Sequence, residues 1–153
     1  MSLFEKINED LKKAMKAREK EKLEALRAVK TAFLLAKSDK GATAVLTEDE
    51  ELKIIQKLVK QRNESAEIYR SQNRNDLYEK EIFEAQVISG YLPRQLSEEE
   101  LSEALLRIIQ STGASGMQDM GKVMSMATKE LAGKAEGKMI AAKVKELLDK
   151  YIK

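Results

Sequence analysis

The sequence of 153 residues contains no cysteine, no histidine and no tryptophan, and it has only one proline. Without cysteine, disulfide bonds and thiolate chemistry are excluded. Without cysteine and histidine together, zinc sites built from these ligands and the commonest general base near neutral pH are excluded as well. No glycine-rich phosphate loop, nucleophile elbow or metal-ligand spacing is present. We therefore expect no metal site, no cofactor and no catalytic residues.

Long hydrophobic runs are also missing. The longest apolar run covers residues 32–36, which is far shorter than a membrane span. Charged side chains at Glu5, Lys6 and Glu9 argue against a secretory signal peptide. These observations predict a soluble, cytoplasmic protein that has no contact with a membrane.

Charge is abundant but nearly balanced, with 28 basic and 26 acidic residues. Its distribution is uneven, because residues 11–30 carry eight basic and three acidic side chains, and residues 121–153 carry eight and four. The intervening residues 41–92 carry seven basic and ten acidic side chains. Two basic segments that flank an acidic one are typical of a protein that binds an anion, and equally of solvated helix faces.

The periodicity of apolar residues predicts an all-α protein. Four helices are expected at about residues 2–18, 20–37, 48–70 and 76–89, although the first two could form one long helix. Thr47 and Ser97 each open a capping box that begins a helix. The segment Gly90-Tyr91-Leu92-Pro93 ends the fourth helix. We predict a four-helix bundle over residues 1–92 and a three-helix domain over residues 93–153.

The most unusual stretch is a predicted helical hairpin near the C-terminus. Two apolar stripes define its helices, Met120, Val123, Met124, Ala127 and Leu131 in the first and Ile140, Val144, Leu147, Leu148 and Tyr151 in the second. Gly133 is expected to end the first helix in the left-handed conformation. Three glycines and three lysines decorate this hairpin, and we predict that they form one basic elbow: Gly121, Gly133, Gly137, Lys122, Lys134 and Lys138.

Each of these features has a structural and a functional interpretation. Gly121 is best explained by close packing of two helices, and the alternative is close approach of a nucleic-acid backbone. The three lysines would form either a solvated rim or a phosphate site. Other residues are expected to have structural roles. Asp76 should cap the fourth helix, Arg74 should pair with a carboxylate, and Met15 and Leu34 should point into the core. A solvated helix face is expected to contain Lys12, Lys13, Lys16 and Arg18.

Several blocks together resemble the GatB/YqeY family. They are Asp119–Met124 with Gly133-Lys134-Ala135-Glu136-Gly137, Tyr91-Leu92-Pro93, Leu96–Leu101, Asp10–Met15, and Lys60-Gln61-Arg62 with Ser65. The resemblance covers essentially the whole chain. It departs from the family at residues 133–137, where Gly-Arg-Ala-Asp-Gly is usual and this chain has Gly-Lys-Ala-Glu-Gly. Lys134 lacks the planar fork of arginine, and Glu136 is a weaker helix cap than aspartate.

The resemblance implies two all-helical bundles and a relation to the tail of the GatB subunit of tRNA-dependent amidotransferases, which helps to hold the tRNA. That enzyme is a carbon–nitrogen ligase that uses glutamine as its nitrogen donor. Because this chain resembles only the tail, we expect no amide transfer by this chain alone. An amidotransferase assignment would rest on inheritance from the longer relative.

Two functions remain open at this point. The first is a tRNA-handling accessory protein that binds tRNA or another structured RNA through the elbow residues. The second is a protein-interaction module that docks on a larger enzyme or ribonucleoprotein in translation through a face containing methionines. Few aromatic residues are present, at 5%, which disfavours a base-stacking platform.

Overall fold

The computed structural model describes residues 2–41 and 43–151, with the side chain of Tyr151 outside the described set. The described residues form seven α-helices and no strands, which confirms the all-α prediction. A 3₁₀ turn, Met117–Asp119, precedes the sixth helix. The helices are α1 Leu3–Ala17, α2 Lys20–Lys40, α3 Glu48–Ser71, α4 Asn75–Ser89, α5 Glu98–Thr112, α6 Met120–Glu130 and α7 Gly137–Tyr151.

Three helices begin with a reciprocal capping box. The hydroxyls of Thr47 and Ser97 accept from the backbone N–H groups of Glu50 and Glu100 at 3.2 Å each, as the sequence predicts. A third box at Ser2, which accepts from the N–H of Glu5 at 3.1 Å, was not predicted. Each cap satisfies backbone donors that a helix leaves unpaired, and such a cap is typically worth about 1 kcal/mol. Local sequence therefore fixes where α1, α3 and α5 begin.

Helices α1 and α2 are separate, which resolves the open alternative of one long helix. Arg18 adopts the left-handed conformation with φ 58°. This residue reverses the chain after α1, and the N–H of Glu19 donates to the carbonyl of Ala14 at 3.0 Å. The sequence offers neither glycine nor proline at this point, so the break had no local signal.

The chain divides into two compact units, Met1–Leu92 and Pro93–Lys153. In the first unit, helices α1 to α4 surround a core whose most buried members are Ile7, Ala25, Leu26, Val29, Phe33, Ile55 and Ile88. The rings of Phe4 and Phe33 lie 6.2 Å apart, within the range of favourable aromatic pairs.

The prediction that Met15 and Leu34 belong to the core is wrong. Met15 is 57% exposed and Leu34 is 47% exposed, because the buried stripe of each helix is narrower than its apolar stripe.

Polar contacts of the first unit correct another prediction. Asp76 does not cap α4, because that helix begins at Asn75 with no side-chain cap. Asp76 instead lies within the first turn of the helix and receives two hydrogen bonds from the guanidinium of Arg74, at 3.2 and 3.1 Å. The predicted carboxylate partner of Arg74 is thereby identified. Arg62 on α3 and Glu84 on α4 form a further pair at 3.8 Å, and burial raises the pKa of Glu84.

The second unit packs α5, α6 and α7 around its own core. Its buried members are Leu101, Leu105, Ile108, Ile109, Val123, Ala127, Leu131, Ile140, Val144, Leu147 and Leu148. They recur at three- and four-residue intervals along each helix, as an inward-facing stripe requires. Tyr151 was predicted on the stripe of α7, and its side chain lies outside the described residues.

Candidate functional site

The hairpin of α6 and α7 has the turn that the sequence predicts, with a shifted boundary. Helix α6 ends at Glu130, and the N–H of Leu131 donates to the carbonyl of Ala127 at 2.9 Å. Gly133 has φ 75°, the left-handed conformation that glycine adopts readily. It lies beyond the end of the helix, so it shapes the turn between the helices. We call residues 131–138 the elbow.

The elbow is fixed by hydrogen bonds from the segment that precedes α5. The backbone N–H of Leu96 donates to the carbonyl of Lys134 at 3.0 Å. The side-chain amide of Gln95 donates to the carbonyl of Gly133 at 2.6 Å and to that of Pro93 at 2.9 Å. Two carbonyls of the turn are therefore already paired within the protein. The ionisable side chains of the elbow are those of Lys134, Glu136 and Lys138, so its two cations have one carboxylate between them in the sequence.

Lys134 and Lys138 are both exposed, and neither ammonium group has a hydrogen-bond or ion-pair partner among the described residues. Lys134 also lines a cleft of about 400 Å³. The cleft is completed by Ala104, Arg107, Ile108, Ser111, Glu130 and Leu131. Arg107 supplies a second cation from α5. Sequence reasoning missed it, because an arginine on the polar face of a helix is an ordinary solvated residue until the packing shows what lies beside it. Glu130 is a carboxylate in the same cleft and reduces its net positive charge.

Lys122 does not belong to the elbow. It lies in the first turn of α6, nine residues before Leu131, which corresponds to about 14 Å along a helix axis. Its ammonium group donates to the carbonyl of Thr112 at 3.2 Å, at the C-terminal end of α5. A cation at this end of a helix complements the unpaired carbonyls and the helix dipole. Of the three predicted lysines, only Lys134 and Lys138 belong to the elbow.

Two of the three predicted glycines, Gly121 and Gly137, lie where a side chain would fit. Gly121 lies beside Lys122, is exposed, and a Cβ added to it would meet no atom within 4 Å. The prediction that Gly121 permits close helix packing is therefore wrong. Gly137 begins α7 and is open in the same sense. Both positions present bare backbone to the surroundings, and neither owes its glycine to packing in this structure.

Methionines provide an apolar component on the surface of the second unit. Met117, Met126 and Met139 are 39%, 37% and 51% exposed. Met120 and Met124 are partly buried against the core instead. Methionine is flexible and polarizable, and it occurs often at surfaces that adapt to different partners.

Among the described residues, no group of three or more carboxylate, imidazole or thiol side chains could hold a metal ion. None of the helices described has both the length and the apolar character needed to cross a bilayer.

Comparison with known proteins identifies relatives over most of the chain. A protein of Pyrenophora tritici-repentis named "Altered inheritance of mitochondria protein 41, mitochondrial" is 28% identical over 94% of this chain and 79% of its own length. The protein of the same name from Clavispora lusitaniae is 31% identical over 86% of this chain and 77% of its own length.

These names contradict the expected cytoplasmic location, because both relatives are named as mitochondrial proteins. The prediction depended on charges near the N-terminus that argue against a secretory signal, and such charges carry no information about other destinations. The sequence pattern described as "Yqey-like protein" matches residues 4–148, nearly the whole chain. The chain thus belongs to the YqeY-like family.

Proposed function

We propose that this YqeY-like protein is a non-catalytic accessory protein that binds tRNA or another structured RNA through the elbow. The observation that carries the proposal is the pair of exposed ammonium groups of Lys134 and Lys138, which have no partner among the described residues and belong to an elbow that Gln95 and Leu96 hold in shape. The resemblance to the tail of an amidotransferase subunit supports RNA as the ligand. Amide transfer itself would remain with the larger enzyme.

Phosphate contacts would supply the affinity. Lys134 and Lys138 can each neutralise one phosphate, and Arg107 in the adjoining cleft can engage another with two parallel hydrogen bonds. The open backbone at Gly137 lets a phosphate approach the first N–H groups of α7, where the helix dipole favours an anion. A site of this kind reads the shape and charge of an RNA and has no means of base-specific recognition.

Fluorescence anisotropy tests the proposal directly. Unfractionated tRNA and a simple RNA duplex of equal length are titrated at about 50 mM and about 200 mM salt. We expect tRNA to bind more tightly than the duplex at the higher salt, and the variant Lys134→Glu with Lys138→Glu to lose most of this affinity. Equal binding of both RNAs, removed by salt, would contradict shape recognition.

A matched control separates the site from the general charge of the protein. Lys53→Glu with Lys57→Glu reverses two exposed charges on α3, neither of which has an ion pair among the described residues. If this control weakens tRNA binding as strongly as the elbow variant does, the elbow is not the site. Lys122→Glu is measured separately, because that side chain lies at the other end of α6.

A second candidate function has its own observation. The exposed side chains of Met117, Met126 and Met139 support a protein-interaction module that docks on a larger enzyme or a ribonucleoprotein in translation. Affinity capture from a native lysate, with and without nuclease, distinguishes the two functions. A partner that is retained after nuclease treatment and lost in Met139→Gln favours docking, whereas a partner lost with nuclease alone favours RNA.

A further inference from the structure

A second basic cleft lies in the first unit, between α1 and α2. It has a volume of about 540 Å³ and is lined by Asn8, Leu11, Lys12, Met15, Arg27 and Lys30. Lys12 comes from α1, while Arg27 and Lys30 come from α2 and lie three residues apart on one helix face. Two antiparallel helices thus bring three cations to one concave surface that also contains the exposed side chain of Met15.

The three cations have no acidic partners in the part of the chain that the structure describes. No carboxylate is among the residues that line the cleft. Asp10 on α1 accepts a hydrogen bond from the hydroxyl of Tyr91 at 2.5 Å, and Glu24 on α2 pairs with Lys80 at 3.5 Å. Asp10 and Glu24 are therefore engaged elsewhere, and no carboxylate lines the cleft to neutralise its three cations.

We propose that this cleft binds a ligand that carries linked phosphate groups. An unneutralised cluster of three cations favours a multivalent anion, and Arg27 offers the planar fork that matches phosphate oxygens. The side chains of Leu11 and Met15 add apolar surface beside the three cations. Such phosphates could belong to a free polyphosphate compound or to a nucleic-acid backbone, and the chemistry of recognition is the same.

Methyl NMR of the full chain tests this site independently of the elbow. With ¹³C-labelled methionine methyl groups, Met15 reports on the cleft, whereas Met126 and Met139 report on the second unit. Sodium tripolyphosphate, an RNA duplex, poly-glutamate and sodium sulfate are titrated at matched ionic strength. We expect a saturable shift of the Met15 signal with tripolyphosphate or the duplex, and none with sulfate or poly-glutamate.

Paired variants determine whether the three cations are responsible. Arg27→Gln with Lys30→Gln should weaken the Met15 response at least about ten-fold, because two charge-assisted hydrogen bonds are lost. Lys53→Gln with Lys57→Gln removes the same charge outside the cleft and should leave the response unchanged. Tighter binding of tripolyphosphate than of the duplex identifies a free polyphosphate compound as the ligand class, and the reverse order identifies a nucleic-acid backbone.

Three results would overturn the proposal. They are a Met15 signal that neither phosphate ligand moves, equal losses in the two double variants, and a response to poly-glutamate without a response to phosphates, which would indicate an acidic peptide as ligand. None of these results bears on the proposed RNA site at the elbow, because the cleft belongs to the first unit and the elbow to the second. Unchanged signals of the other methionines in each variant confirm that the fold is intact.

Discussion

The buried carboxylate of Glu51 accepts a hydrogen bond from the backbone N–H of Phe4, 47 positions earlier in the sequence, at 3.0 Å. Glu51 is only 4% exposed and is the one buried charged residue in the described part of the chain. The contact satisfies an N–H group in the first turn of α1 that has no partner within the helix. The hydrogen bond thereby holds the N-terminus of α1 against α3.

Replacing Glu51 should reveal the strength of this connection. We expect Glu51→Ala to lower the free energy of unfolding by about 2 kcal/mol, since a charge-assisted hydrogen bond is lost and the N–H of Phe4 stays partly buried. Glu51→Gln keeps an acceptor oxygen and should cost less. Urea denaturation of the three proteins measures the difference, and equal losses in both variants would contradict a role for the acceptor.

The two kinds of glycine in the hairpin should respond in opposite directions to alanine. Gly121→Ala should raise the free energy of unfolding by up to about 1 kcal/mol, because the site is open and alanine favours the helix. Gly133→Ala should lower it by about 1–2 kcal/mol, because its φ of 75° is unfavourable for a residue with a Cβ. Chemical denaturation tests both.

The Gly121→Ala variant also tests the alternative interpretation of that glycine. If an RNA backbone approaches Gly121 closely, this variant should bind tRNA more weakly although it is more stable. Unchanged tRNA affinity would leave Gly121 without a functional explanation.

Arg18 offers a route to a more stable protein. Its φ of 58° costs free energy in any residue with a Cβ, so Arg18→Gly should raise the free energy of unfolding by about 0.5–1 kcal/mol. Arg18→Ala removes the same side chain without relieving the backbone and serves as the control. Thermal denaturation of both variants should separate them, and a destabilised glycine variant would show that the Arg18 side chain itself stabilises the turn.

Acid should weaken the second unit through Glu100. The hydrogen bond from the guanidinium of Arg94, together with the backbone of Ser97, lowers the pKa of Glu100 from 4.5 to about 2. A carboxyl group whose pKa is lowered by folding stabilises the protein above its unfolded-state pKa, and this contribution disappears as the pH falls through the folded-state pKa. The contribution of Glu100 is therefore complete above pH 4.5 and is lost towards pH 2.

Denaturation at several pH values checks this assignment. The difference in stability between the wild type and Glu100→Gln should be largest above about pH 5 and should shrink as the pH falls to about 2.5. Glu99→Gln removes a neighbouring exposed carboxylate that has no ion pair among the described residues, and it should show no such dependence. A constant difference for Glu100→Gln across the pH range would contradict the linkage.

Sequence alone predicted those features that depend on local chemistry. The capping boxes at Thr47 and Ser97 were identified because donor and acceptor lie three residues apart, and the all-α class followed from apolar periodicity. The turn at Arg18 was missed because no glycine or proline marks it. Met15 and Leu34 were placed inside because periodicity shows the direction of an apolar stripe and not how much of it neighbouring helices cover.

The grouping of residues at the candidate site was predicted less well than the helices, because it depends on how the helices pack. Closeness in sequence suggested that Lys122 joins Lys134 and Lys138, but an intervening helix carries it to the opposite end of the hairpin. Arg107 and the cleft of Lys12, Arg27 and Lys30 depend on contacts between helices that are distant in sequence. Such sites become visible only when the packing of the helices is known.

The hydrogen bonds from Gln95 and Leu96 to the elbow determine where an expression fragment of the second unit should begin. These donors precede the first residue of α5, so a fragment cut at the start of that helix would keep all three helices and lose the anchors of the turn. The carbonyls of Gly133 and Lys134 would then lose these donors, and Lys134 would be presented on a loosened turn. An expression fragment meant to test the proposed RNA binding should therefore start no later than Pro93, whose carbonyl accepts from the side chain of Gln95.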